Sequence, residues 1–389
     1  MDKPYHEIKL EHLKNLRDME YFCETHSEIY VWCEDKCGVA INKYLHLCDI
    51  KVAGFASETN ERFVNAVVNK KSTARKLFPS SKVGVILSVY DMEQQKALYA
   101  LASMGIKSKD VFLLQNDVKG MIELRMSTAN QLRIGVQVID YCNLNCKGCN
   151  KFSPVAKKDD GSLKDDFDEY ARDIKRLAQL CTKDNFDELI FTGGEPTLNP
   201  FLVEYMRETR KNLQHVKLKL ATNGIKLLSM NSDFWKTLLD CDVEILMTEY
   251  PINIDLNAIK KTINDYGIAV NYFRESGEKT TWKFPYDMKG KQSKMEFIYC
   301  WMWNHCAMMY KGRLYPCSPI PSIRILAEHF KHKLPSYKQF GINIYEADNA
   351  QQLLDFVASR SEFCKYCNLE RRSVGHLWEI SKKCESEWI

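Results

Sequence analysis

The strongest constraint on this 389-residue chain is an alternation of short apolar segments with longer amphipathic ones. From residue 132 onward the strand-like segments are IGVQVID, ELIFTG (188–193), KLKLATN (217–223), VEILMTEY (243–250) and IAVNYFRE (268–275). Helix-like stretches separate them, among them DFDEYARDIKRLAQLC (166–181) and FLVEYMRETRKNL (201–213). Successive strands joined by helices must run parallel, because a parallel pair needs a long crossover connection. Five or six such units over residues 132–290 predict an α/β fold, a partial or full parallel barrel of the (β/α)6 type. Functional residues then belong at the C-terminal ends of its strands.

A smaller series precedes it. IYVW, CGVAINKYL, KVAGFAS (51–57), VGVILSV (83–89), MEQQKALYALASMGI (92–106) and DVFLL (110–114) alternate strand and helix, which predicts a small Rossmann-like domain over 26–116. A helical segment, 1–25, comes before it, and 117–131 reads as a connector. The turn after the first strand, Cys33-Glu34-Asp35-Lys36-Cys37-Gly38, keeps one glycine and carries two acids that repel a pyrophosphate, so nucleotide binding is not expected there.

The charge balance is mild, +4 with no long single-sign run, which gives no footprint for nucleic acid. No apolar stretch is long enough for a transmembrane helix, and the polar start MDKPYHEIKLEHLKNL has no signal region, so the expectation is a cytoplasmic protein. In a reducing compartment the 15 cysteines point to metal or catalysis rather than a disulfide framework.

Cys142, Cys146 and Cys149 lie just past the first barrel strand in YCNLNCKGCN, a loop too polar for core. Several thiolates on one short loop can each reach a different iron, whereas a structural zinc site normally closes with four ligands. FTGGEP (191–196) ends the second strand and ATNG (221–224) the third.

The C-x3-C-x2-C triplet followed by GGEP on these elements resembles the radical S-adenosylmethionine (SAM) family over roughly 132–290. The resemblance implies that Cys142, Cys146 and Cys149 ligate three irons of a 4Fe–4S cluster, with SAM chelating the fourth. One-electron cleavage of SAM then yields a 5′-deoxyadenosyl radical that abstracts a hydrogen atom from the substrate. It assigns Gly193, Gly194 and Glu195 to the SAM amine, and Asn223 and Thr248 to further SAM contacts. The residue before the third cysteine is often aromatic in this family; here it is Gly148.

A second group of cysteines follows. CAMMYKGRLYPC (306–317) reads as a hairpin turning at Lys311-Gly312, and C-x2-C spans Cys364 and Cys367. The segment 291–389 resembles the twitch module, a shortened SPASM domain, which implies an auxiliary 4Fe–4S cluster held by four thiolates. Cys317, Cys364 and Cys367 supply three. Cys300 matches the module's spacing, while Cys306 pairs across the hairpin from Cys317 with Cβ atoms about 5 Å apart; either completes the set. Zinc on the same four residues is the competing reading. The aromatic run FIYCWMWNHC (297–306) reads as packing before pocket lining. Glu249, Tyr250 and Arg274, near strand ends, are further candidates to face a substrate.

The resulting expectation is an enzyme, a radical SAM oxidoreductase or epimerase. The substrate is a small sugar, polyol or nucleotide sugar, since the N-terminal segment resembles Rossmann-like segments of polysaccharide-biosynthesis proteins. An electron donor such as a flavodoxin or ferredoxin is implied as partner. The alternatives are a maturase of a ribosomally made peptide and, in another class, a non-catalytic zinc or iron–sulfur scaffold.

Overall fold

A computed structural model describes residues 9–33, 37–57, 60–64, 71–73, 82–89, 91–127, 131–158, 162–273, 280–283, 285–300 and 302–389. Its internal contacts divide the chain into two units, residues 1–129 with 292–301 and residues 130–291 with 302–389. The helical segment, the Rossmann-like series and the connector thus fall in one unit. The barrel series and most of the cysteine-rich segment fall in the other.

In the first unit α1 (Leu10–Thr25) leads into β1 (Glu28–Trp32), α2 (Cys37–Leu47), β2 (Val52–Ser57), β3 (Asn60–Val64), β4 (Lys71–Thr73), β5 (Val83–Leu87), α3 (Asp91–Ser103), β6 (Val111–Leu113) and α4 (Asn116–Met126). The strand order is β4-β3-β2-β1-β5-β6, with β2, β1, β5 and β6 parallel and β3 and β4 antiparallel additions. β5 is buried throughout, and β1 along all but its first residue, as parallel strands covered on both faces are. The parallel sheet is the expected Rossmann-like core. The supposed connector is helical: Val118, Ile122 and Met126 recur at i, i+4, i+8 and bury one face of α4. Most of the acidic turn after β1, Glu34 to Lys36, lies outside the described residues. Gly38 abuts it, and a Cβ there would come within 2.3 Å of the Cys33 sulfur. The aromatic run packs: Phe297 sits 5.6 Å from the Tyr44 ring, centroid to centroid, and the Tyr44 hydroxyl donates to the Met295 carbonyl.

The second unit carries β7 (Leu132–Ile139), α5 (Leu163–Leu180), β8 (Phe186–Gly193), α6 (Leu202–Asn212), β9 (Lys217–Thr222), α7 (Ser232–Asp240), β10 (Val243–Thr248), α8 (Leu256–Asp265) and β11 (Val270–Phe273). These are the five strand segments read from the sequence, all parallel and in sequential order. There follow β12 (Thr280–Lys283), β13 (Ala307–Tyr310), β14 (Arg313–Tyr315), α9 (Ile323–His329), β15 (Ile342–Asn343), α10 (Ala350–Ala358) and β16 (Ser373–Leu377). The sheet runs β11-β10-β9-β8-β7-β13-β14-β15, so the C-terminal hairpin extends the barrel sheet beside β7, with β13 parallel to it. β12 pairs instead with β16.

β7, flanked on both sides, is buried at seven of its eight positions, whereas β9 and β10 alternate. Leu218, Leu220, Val243, Ile245 and Met247 join the core with helix residues such as Ile259 and Phe234. The opposite, half-exposed face carries Lys219, which pairs with Glu188 at 2.5 Å and Glu244 at 3.5 Å. The hairpin tip is tied to α5 through buried Asp173, whose carboxylate accepts from the Gly312 amide at 2.7 Å and the Tyr345 hydroxyl at 2.8 Å. Burial raises the Asp173 carboxyl above its usual range despite these two donors. No helix among the described residues is long and apolar enough to cross a membrane.

Candidate active site

The cysteine loop leaves the C-terminal end of β7, as the barrel series requires. Cys142 follows that strand by three residues, and its sulfur accepts from the Leu144 amide at 3.3 Å and the Asn223 amide nitrogen at 3.7 Å. Burial pushes the Cys142 thiol up to about 12, helped by neighbouring Cys149, Glu195 and Cys146 and opposed by the Leu144 N–H. The three cysteines and Glu195 therefore share one electrostatic neighbourhood, in which a thiolate needs a cation to compensate it. Gly148 stands at φ 66°, the left-handed region, so the loop's backbone explains glycine where an aromatic residue was expected.

The GGEP turn is built by close backbone approach. The Gly194 amide donates to the Ile139 carbonyl at 2.7 Å and the Glu195 amide to the Tyr141 carbonyl at 2.9 Å. A Cβ at Gly194 would fall 2.0 Å from the Tyr141 oxygen, and one at Gly193, where φ is 141°, 2.2 Å from the Ile139 oxygen. Backbone atoms cannot move aside as a side-chain tip can. Gly194→Ala is expected to destabilise the protein by about 1–3 kcal/mol, the usual cost of overpacking, read as a lower thermal midpoint; an unchanged midpoint would contradict this account.

Glu195 is buried, and its carboxylate is heavily used. Oε1 accepts from the Thr197 amide at 3.2 Å and from the Thr197 and Thr222 hydroxyls, each at 2.6 Å, while Oε2 accepts from the Asn223 amide at 2.8 Å. Burial raises its carboxyl above the usual range against these donors. Asn223 carries the chain onward: its side-chain nitrogen donates to Asn143 Oδ1 at 2.8 Å beside the Cys142 sulfur. The ends of β8 and β9 are thus locked to the cysteine loop. Thr248 closes β10 on the half-exposed face. Glu249, next in line, pairs with Lys260 at 2.8 Å, and Tyr250 meets Trp378 edge to face at 6.0 Å. Arg274 lies outside the described residues.

The last residues of the chain reach this loop too. Cys146 forms an antiparallel bridge with Ile380, the Lys147 amide donates to the Glu379 carbonyl at 3.0 Å, and the Ser381 amide donates to the Asn145 carbonyl at 2.9 Å. Trp388, fully buried, donates its indole N–H to the Cys149 carbonyl at 2.9 Å and packs against Phe152. Sequence reading passed over Trp388; its one signal is a tryptophan inside an otherwise polar tail.

The second cysteine set lies in the same unit. β13 and β14 pair Met308 with Tyr315, Met309 with Leu314 and Tyr310 with Arg313. Extending that register by two residues sets Cys306 opposite Cys317. The turn between is Lys311 at φ 46° and Gly312 at φ 68°, the two positive angles of a type I′ turn. Cys364 and Cys367 flank a single turn whose Cys367 amide donates to the Cys364 carbonyl at 3.0 Å, and Cys367 bridges Tyr286. Cys317 and Cys367 pack against one apolar cluster that also holds Phe152 and Trp388. Cys300 belongs to the other unit, where its carbonyl accepts from the Arg125 guanidinium. Among the described residues no three His, Cys, Asp or Glu side chains are closed to the spacing of a single-ion site. Ligands of a cubane, each on a different iron, stand further apart than ligands of one ion.

Between the two sets sits Lys151. Burial pushes its ammonium down to about 8, and Cys149, Cys317, Asp140 and Cys306 act against that shift. A cavity of about 590 Å³ opens at the end of β7, lined by Asp140, Tyr141, Tyr310 and Arg324 but by none of the cysteines. Six of its charges are matched in pairs, Arg324 with Asp140, Lys157 with Glu328 and Lys311 with Asp166, while Lys158 lies over the Tyr141 ring at 5.6 Å.

Residues 136–277 match the model of the Radical SAM superfamily. A GTP 3′,8-cyclase of Clostridium acetobutylicum is 30% identical over 140 residues, 36% of this chain and 38% of that protein. A probable GTP 3′,8-cyclase of Pyrococcus abyssi is 29% identical over 105 residues, 27% of this chain and 31% of that protein. The chain thus spans about a third of the length of the curated relatives it matches. Among solved structures, BtrN in complex with AdoMet and 2-DOIA aligns at 17% identity over 62% of this chain and 94% of that one, with a TM-score of 0.38. Residues 136–277 of this chain thus carry a radical SAM domain.

Proposed function

We propose that this chain is a radical SAM oxidoreductase or epimerase acting on a small sugar, polyol or nucleotide sugar. The radical SAM family binds a 4Fe–4S cluster and SAM. The observation that carries the reading is the hydrogen-bonded chain from Glu195 through Asn223 to the loop of Cys142. The donor set fits the group: three cysteines in one electrostatic neighbourhood, with N–H donors already turned to one sulfur.

Cys142, Cys146 and Cys149 would hold three irons. Gly193 and Gly194 would meet the SAM amine through their backbone, with Glu195 and Asn223 fixing their position and Thr248 at the neighbouring strand end. When bound, the group would supply one-electron cleavage of the C5′–S bond of SAM and so hydrogen-atom abstraction from the substrate. Cys306, Cys317, Cys364 and Cys367 would hold an auxiliary 4Fe–4S cluster, which suits net oxidation because it can accept the electron left on the substrate. A thiol hydrogen donor in its place would give epimerisation. A flavodoxin or ferredoxin would supply the reducing electron.

The peptide-maturase reading is weaker. It calls for a winged-helix leader-binding domain, and the parallel sheet of the first unit is not one. The test is deuterium transfer: reduced protein, SAM and substrates deuterated on ring carbons should give deuterated 5′-deoxyadenosine. Transfer only from a peptide substrate would overturn the small-molecule reading.

A further inference from the structure

Lys151 lies two residues past Cys149 and is 7% exposed. Its ammonium donates to Gln137 Oε1 at 3.3 Å, the Ser318 carbonyl at 3.2 Å and the Met308 sulfur at 3.6 Å. All three acceptors are neutral, and no carboxylate among the described residues lies within ion-pair distance of it. A buried cation without a counter-anion is strongly unfavourable. What surrounds it is cysteine, with the Asp140 carboxylate behind Gln137. Ser318 is the neighbour of Cys317, Met308 follows Cys306 by two residues, and Cys149 is on its own loop. The lysine therefore stands near Cys149 of one set and Cys306 and Cys317 of the other.

Its acceptors are themselves fixed. Gln137 Oε1 also receives the Ser322 hydroxyl at 2.7 Å, and the Gln137 amide donates to Asp140, which is paired with Arg324. The ammonium is held in place rather than left to swing towards solvent.

We propose that Lys151 is the counter-cation of the two cluster sites, a positioning residue that raises the reduction potential of the auxiliary cluster. This rests on the assignment of Cys306, Cys317, Cys364 and Cys367 to that cluster. A thiolate-bound cubane is net negative and becomes more so on reduction. A fixed positive charge beside it favours the reduced form, because net charge and nearby hydrogen bonds set these potentials. A cluster that takes an electron from a substrate radical benefits from a potential shifted in that direction.

The test uses the full chain with Cys142, Cys146 and Cys149 replaced by alanine, so that only the auxiliary cluster gives a signal. Redox titration followed by electron paramagnetic resonance is compared among Lys151, Lys151→Met, Lys151→Gln and Lys151→Arg. The neutral variants should lower the reduced-to-oxidised ratio at a fixed potential about tenfold, a shift of about 59 mV for one electron. Lys151→Arg should keep the original midpoint. Glutamine retains a donor for Gln137 and Ser318, which guards against a simple packing failure. A cluster signal with the same midpoint in all four proteins overturns the inference and leaves the ligand assignment standing. Equal shifts in all three variants, arginine included, also overturn it, since charge is then not the cause. Absence of bound iron from the triple-alanine protein overturns the ligand assignment and the inference with it.

Discussion

Replacing Cys142, Cys146 and Cys149 with alanine is expected to abolish reductive cleavage of SAM to 5′-deoxyadenosine. The effect should be total, because each thiolate would hold a separate iron. Loss of fold is not the cause expected. The loop is also held by the Cys146–Ile380 bridge, by the Lys147 and Ser381 amides, and by the Trp388 indole on the Cys149 carbonyl. What alanine removes at Cys142 is a sulfur accepting two weak hydrogen bonds. The variant should therefore keep its circular dichroism while iron content and product both fall. Product formed at the wild-type rate by the triple variant would refute the role given to these residues.

The second large effect concerns the other cysteine set. Cys306→Ala should lose about four irons per chain, one cubane, while Cys300→Ala should lose none. The hairpin register is the reason. The ladder ends at Met308 and Tyr315, and Cys306 and Cys317 lie two residues beyond it on the two strands, where a continued register would set their Cβ atoms about 5 Å apart. Cys300 lies outside the hairpin, six residues before Cys306. Iron lost from Cys300→Ala but kept by Cys306→Ala would reverse the assignment.

Much of this site could be read from the sequence because its signals are local. The strand–helix alternation fixes five parallel strands, and their C-terminal ends are where Cys142, Gly193, Asn223 and Thr248 stand. The Lys311-Gly312 turn gives a two-residue hairpin, and with it the pairing of Met308 with Tyr315 next to Cys306 and Cys317 in the chain. The helix in 116–126 also had its signal, Val118, Ile122 and Met126, though Gly120 interrupts it.

Other features depend on contacts between distant residues and leave no local trace. Trp388 reaches the carbonyl of Cys149 across most of the chain, and Ile380 pairs with Cys146. The adjacency of β13 to β7 follows from neither sequence order nor periodicity. A lysine two residues from a cysteine reads as a solvated loop residue. Only the packing of Met308, Ser318 and Gln137 around it makes Lys151 a buried charge. Glu195 changes its meaning in a similar way. Its carboxylate, read as a partner for the SAM amine, also accepts from Thr197, Thr222 and Asn223 and so ties strand ends together.

The central claim is that two cysteine sets in one unit each hold a cubane. Its most direct test is the iron and acid-labile sulfide content of anaerobically reconstituted wild-type protein. The account predicts about eight irons and about eight sulfides per chain. Bound zinc without labile sulfide would contradict it.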